Sequence, residues 1–321
     1  MINSVRNTVL SVLNKNNYGY ISPSDFNLFA KQAQLDLFED YFHRYNYYIN
    51  KENARSSGTG DADISKSYAE VIESFSSSYG LLPIVYGESS NFMLLPENYY
   101  IISKVNYFPN NLSLGTATSL LANNLIDLSA TFITDGVTYG NIIVNTDTGA
   151  IAYVISVVSE TQLLLTVDIF KIVSESYSIS TTSNIREIEK VSQQKIFQLN
   201  NSNLTSPNLL YPAYVLGGAT DNLLGSIATI YPETIKVPGS VIIEYIRYPR
   251  DPKWTYADVP SSSGEPLFDP TQVDYQDFEL PYSDEPTIVS RILEYAGLSI
   301  READVVITEE KSIAREIGLE K

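Results

Sequence analysis

Few side chains in this sequence could carry chemistry. His43 is the sole histidine among 321 residues, and there is no cysteine. That leaves no thiolate nucleophile, zinc-thiolate or iron–sulfur site, disulfide framework or multi-histidine metal cage. His43 sits between Phe42 and Arg44 in a helical pattern, with no serine or cysteine partner at recognisable spacing. It therefore reads as a structural or surface residue rather than a general base. The pairs Asp274/Asp277 and Asp284/Glu285 have the right groups for acid–base work or calcium. They lack the alternating oxygen ligands, central glycine and terminal glutamate of a calcium loop, so a solvated acidic face is expected. Asp147-Thr148-Gly149 has the form of an aspartic-protease triplet, but it occurs once and in a hairpin setting, so it reads as a tight turn. Leu216-Gly217-Gly218-Ala219 lacks the spacing of a phosphate loop and reads as a turn too. No catalytic residue, metal or cofactor is assigned, and the chain is expected not to be an enzyme.

Composition narrows the field further. The 21 Lys and Arg against 38 Asp and Glu leave a net charge of −17, which disfavours a broad surface for gripping phosphates. An apolar fraction of 44% is ordinary for a folded chain. The 24 tyrosines are too dispersed to form a cofactor site, and they suit core packing and protein contacts. Residues 1–6 lack the features of a signal peptide, and no long apolar run suggests a membrane span. The expectation is a protein made and kept in a cytoplasm, or in something assembled there.

The elements expected to position these residues are mixed. Residues 2–15 have the spacing of a short amphipathic helix, followed by a turn at 16–19. Ser22-Pro23-Ser24-Asp25 is a strong helix start, and the helix should run to about residue 50 with two apolar stripes. A loop over 51–61 and a helix over 62–75 follow. From residue 81 the texture turns β-branched and aromatic, with strands over 81–85 and 99–108. Residues 110–180 read as an inserted small antiparallel β-barrel or sandwich of about five strands. A helix is expected over 184–199, then strand pieces up to residue 248. Residues 250–285 read as an irregular acidic-aromatic arm, with nine acidic side chains against Arg250 and Lys253. So long an irregular stretch is expected to lie against a surface. A C-terminal helix should occupy 286–317.

Three blocks together resemble a known family. They are Ile21-Ser22-Pro23-Ser24-Asp25-Phe26-Asn27 running into residues 30–42, the block from Asn124-Leu125-Ile126-Asp127 through Thr161-Gln162-Leu163-Leu164-Leu165, and Asp277-Phe278-Glu279-Leu280-Pro281 followed by residues 292–305. In this order they resemble the head–tail connector proteins of tailed bacteriophages, with the closest likeness to the ring proteins of crAss-like phages. The resemblance implies an α+β fold: a helical connector core with long N- and C-terminal helices, a mixed β region and the small β insertion. The core would comprise residues 1–109 and 181–321, with 110–180 inserted. It implies a dodecameric ring between the portal and the tail, extending the DNA channel and giving the tail a platform for assembly. Partners would be further copies of itself, the portal and downstream ring or tail proteins, with genomic DNA only passing through and no membrane. Localisation would be the virion neck or tail, assembled in the bacterial host cytoplasm. An acidic channel would let DNA slide.

The contact residues expected on the arm and C-terminal helix are Trp254, Tyr256, Phe268, Tyr275, Phe278, Ile288, Ile292, Tyr295, Ile300, Val305, Val306 and Ile313. A carbohydrate-binding or adhesion module of a virion or cell-surface protein is the alternative expectation, since the Ser/Thr-rich β block and the tyrosines would suit sugar contacts.

Overall fold

Apolar residues at helical spacing dominate the two ends of the chain, and alternating strand-forming runs fill the middle. The computed structural model follows that division. It describes residues 1–15, 21–54, 62–84, 91–217, 226–258 and 266–300. Among them are 18 strands in four sheets and five helices: α1 (Ile2–Lys15), α2 (Pro23–Ala54), α3 (Ala62–Glu73), α4 (Gln193–Asn200) and α5 (Glu285–Ile300). The fold is therefore mostly β, which corrects the expected helical connector core with long N- and C-terminal helices. The physical reason lies in the long stretch between Phe75 and Glu285. There α4 is the one α-helix among the described residues, and the β-branched and aromatic runs pair as strands.

The chain forms two units, Met1–Phe75 with Tyr248–Lys321, and Ser76–Arg247. In the first, α1 buries Ile2, Val5, Val9 and Leu13. α2 buries Phe26, Ala30, Ala33 and Leu37, and α5 buries Ile288, Ile292, Leu293 and Ala296. Each set recurs at steps of three and four (with Leu293 beside Ile292), the stripe of a helix covered on one side. The start of α2 follows its sequence signal. The Ser22 hydroxyl accepts from the Asp25 N–H at 3.1 Å and donates to the Asp25 carboxylate at 2.6 Å. The arm is less irregular than expected, because Tyr256–Asp258 and Pro266–Phe268 pair as an antiparallel hairpin.

The second unit holds three sheets. A four-stranded sheet runs in the order Ser76–Gly80, Val241–Arg247, Tyr99–Tyr107, Arg186–Glu187. A five-stranded sheet runs Glu189–Lys190, Ala213–Gly217, Ile227–Tyr231, Phe92–Leu94, Leu82–Pro83. The seven-stranded sheet takes up residues 111–180 and encloses Leu125, Phe132, Ile143, Val154, Leu163 and Tyr177. Its outermost strands, Asn111–Thr116 and Ser119–Leu121, do not pair with each other, so the expected barrel is an open sheet.

The helix expected over 184–199 is also corrected. Its first half is extended: the Ile188 N–H donates to Val105 at 2.9 Å and the Glu189 N–H to Pro212 at 3.1 Å. Ile188, Val191 and Ile196 are all buried, but the first lies between the short strands Arg186–Glu187 and Glu189–Lys190 and only the last belongs to α4. A spacing of three to five apolar residues fits either element over so short a run. The turn expected at 16–19 and most of the loop expected at 51–61 lie outside the described residues, while α2 itself continues to Ala54.

Candidate functional site

In the first unit a polar stripe on α2 reads the backbone of the arm. Asn27, Lys31, Gln34 and Tyr41 recur at steps of four, three and seven, so they share one helical face. Asn27 grips Trp254 at both ends: its Oδ1 accepts from the Trp254 N–H at 2.8 Å, and its Nδ2 donates to the Trp254 carbonyl at 3.2 Å. Lys31 pairs with Asp251 at 2.7 Å. Gln34, 1% exposed, ties two arm segments together. Its Nε2 donates to the Arg250 carbonyl at 2.7 Å, and its Oε1 accepts from the Glu279 N–H at 3.0 Å. The Tyr41 hydroxyl donates to Asp284, and the Tyr295 hydroxyl of α5 donates to Asp36. Burial, reinforced by these carboxylate partners, pushes both phenols well above the ordinary tyrosine range.

Trp254 is the hub of the arm. It is 2% exposed, and its Nε1 donates to Asn3 at 3.1 Å. The Arg6 guanidinium lies 3.8 Å from its ring centroid. Tyr256 and Phe268 stack on it, and Tyr275 meets Phe268 edge-on. Of the expected contact residues, Trp254, Phe278, Ile288 and Ile292 are thus buried inside their own unit. Phe268, Tyr275 and Tyr295 are half-buried and Tyr256 is exposed. Ile300 ends α5, its side chain lying outside the described residues, as do Val305, Val306 and Ile313 altogether.

The acidic pairs serve as structural ties. Asp274 takes Lys253. Asp277 accepts from the Met1 ammonium at 2.9 Å and from the Ile2 N–H at 2.7 Å, capping α1. Burial alone would push the Asp277 carboxyl up, but the bonds from Met1, Ile2 and Phe278 outweigh it and hold it below the usual range. His43 is exposed on α2. Asp147-Thr148-Gly149 closes the hairpin between Ile142–Asn145 and Ile151–Ser159, where Asn145 Oδ1 accepts from the Asp147 and Thr148 N–H groups at 3.0 and 3.2 Å. Gly217 ends a strand, and residues 218 and 219 lie outside the described residues. Among the described residues no group of three or more acidic or histidine side chains is placed to hold a metal, and no helix is long and apolar enough to cross a membrane.

In the second unit large apolar side chains stand in solvent along the seven-stranded sheet and its loops, among them Leu128, Tyr139, Val158, Ile172 and Val173. A second set follows α4: Phe197, Leu204, Leu209, Leu210 and Tyr211. Beside it a pocket of about 470 Å³ opens between α4, the loop over 201–212 and the strand pair Glu189–Lys190/Ala213–Gly217. Val191, Leu199 and Ala213 are among its apolar lining, and Glu187, Glu189 and Lys195 line it as well. Sequence reasoning missed both the α2 stripe and this loop. The stripe had a signal in its helical spacing, while the loop's signal was an apolar run, Leu209-Leu210-Tyr211, bounded by Pro207 and Pro212. No family model matches the chain, and no curated protein matches it.

Proposed function

We propose that this chain is a structural virion subunit that works by association, forming a ring between a bacteriophage portal and tail. The single observation that carries this reading is the exposed apolar surface of the second unit, on a chain of net charge −17. Isolated apolar residues on a surface are ordinary, but sets this large favour a site of protein contact. The order of the three sequence blocks that resemble connector proteins supports the reading independently. The ring wall would rest on β surfaces rather than on the helices the resemblance implies. A chain this acidic lines a channel without holding the phosphates that pass through it. The test is electron microscopy of negatively stained protein mixed with purified portal. Ring density stacked on the portal is expected, and portal particles indistinguishable from portal alone would overturn the reading.

A further inference from the structure

The loop over 201–212 holds its apolar side chains outward in a defined conformation. Leu204 is 97% exposed and Tyr211 78% exposed. The backbone beneath them is tied down. The Thr205 hydroxyl donates to the Leu199 carbonyl at 3.0 Å, and the Ser206 N–H donates to Ser202 at 2.9 Å. Asn208 Oδ1 accepts from the Leu210 and Tyr211 N–H groups at 2.9 and 3.0 Å. A loop ordered in advance loses little further conformational entropy when it is covered. Leu204 and Tyr211 also line the pocket of about 470 Å³, so projection and recess lie side by side.

Charge decides what can cover this face. Residues 191–217 contain one charged side chain, Lys195. Glu187 and Glu189 line the pocket, and Lys195 lies 3.9 Å from Glu189. Two copies of a chain carrying −17 repel one another wherever acids meet, and residues 250–285 bring nine of them. Contact through the loop and α4 covers Lys195 alone among charged side chains, the adjoining pocket adds Glu187 and Glu189, and no dense acidic run is brought to the interface. It buries an apolar centre inside a polar rim, the usual anatomy of a stable interface. We propose that the loop over 201–212, with α4 and the adjoining pocket, is the surface on which a second copy of this chain docks. This rests on the reading of the chain as a self-associating subunit, and it names the face that subunit uses.

Sedimentation velocity on the full chain tests it, comparing wild type with Leu204→Glu/Leu210→Glu. A control, Leu28→Glu/Val273→Glu, adds the same charge at exposed positions of the first unit, outside the apolar surface on which the association reading rests. Circular dichroism and the thermal midpoint confirm that both variants fold, as their exposure leads one to expect. The loop variant should associate at least about tenfold more weakly, the effect of one well-buried anchor, with the control near wild type. A loop variant that associates as wild type does, while wild type forms oligomers, overturns the docking face and leaves self-association standing. Wild type that stays monomeric at every concentration overturns both. Loss of binding to another virion protein, with self-association unchanged, gives the face to that partner and overturns this assignment.

Discussion

Replacing Gln34 by alanine removes the tie between the arm and α2. The side chain is 1% exposed and makes two hydrogen bonds to backbone groups of Arg250 and Glu279. Truncation leaves a carbonyl and an N–H that have given up water and lost their partner. Each such orphan costs about 1–3 kcal/mol, and water entering the vacated space relieves part of it, so a net loss of roughly 2–4 kcal/mol is expected. For a unit of this size that corresponds to a thermal midpoint lower by about 5–15 °C. The chain supplies its own reporter, because Trp254 is its one tryptophan and lies in the arm, held by Asn27 from the same helical face. Guanidinium unfolding followed by tryptophan emission should show the lowered midpoint. Acrylamide should quench native Gln34→Ala more readily than wild type, as the arm opens more often. A midpoint change under about 0.5 kcal/mol with unchanged quenching would refute the account of how the arm is held.

Three further outcomes are expected. Gly149 has φ +72°, and a Cβ there would lie 2.2 Å from the Tyr79 ring, so Gly149→Ala should cost roughly 2–4 kcal/mol in urea titration, whereas Gly140→Ala, with open space, should cost only the backbone strain of about 1 kcal/mol. Tyr41, Tyr295 and Tyr177, whose buried hydroxyl donates to Asp127 at 2.8 Å, hold raised pKa values in the fold, so their contribution is intact below the ordinary tyrosine value and is lost as pH rises beyond it. Ultraviolet titration of the tyrosines should therefore show a group that ionises only together with unfolding, and a smooth single titration centred near pH 10 would count against those buried bonds. Asp277 has a lowered pKa, so it stabilises the fold above the ordinary carboxylate value and ceases to as pH falls through its folded value. Asp277→Asn should be less stable than wild type at neutral pH, and the difference should shrink in acid. A constant difference from pH 7 to pH 2 would contradict the bonds drawn to Met1 and Ile2.

What the sequence made legible was local. Ser22-Pro23-Ser24-Asp25 specifies a helix start through groups three residues apart, and Asp147-Thr148-Gly149 specifies a turn through a glycine at positive φ. The extended run over 186–190, two short strands in different sheets, reads as helix in the sequence because Ile188 and Val191 sit at a spacing that a helix would share, and bonding to Val105 and Pro212 decides the matter from far along the chain. The role of Gln34 is hidden for a similar reason, as its partners stand 216 and 245 residues away in sequence. Trp254, Phe278, Ile288 and Ile292 read as partner contacts in the sequence because their apolar character requires burial. Composition does not distinguish burial within the chain from burial between chains, and here α1, α2 and α5 contribute to the core that holds them. Leu204 and Tyr211 carry the opposite lesson: the loop between α4 and the next strand presents the most exposed apolar side chains near the pocket.

The central claim is that this chain acts by binding copies of itself. Native mass spectrometry of the purified full-length protein over a hundredfold range of concentration measures that directly. A single closed oligomer, whose mass stays fixed once formed and does not grow with concentration, is the expected result. A spectrum of monomer alone across the whole range would contradict it.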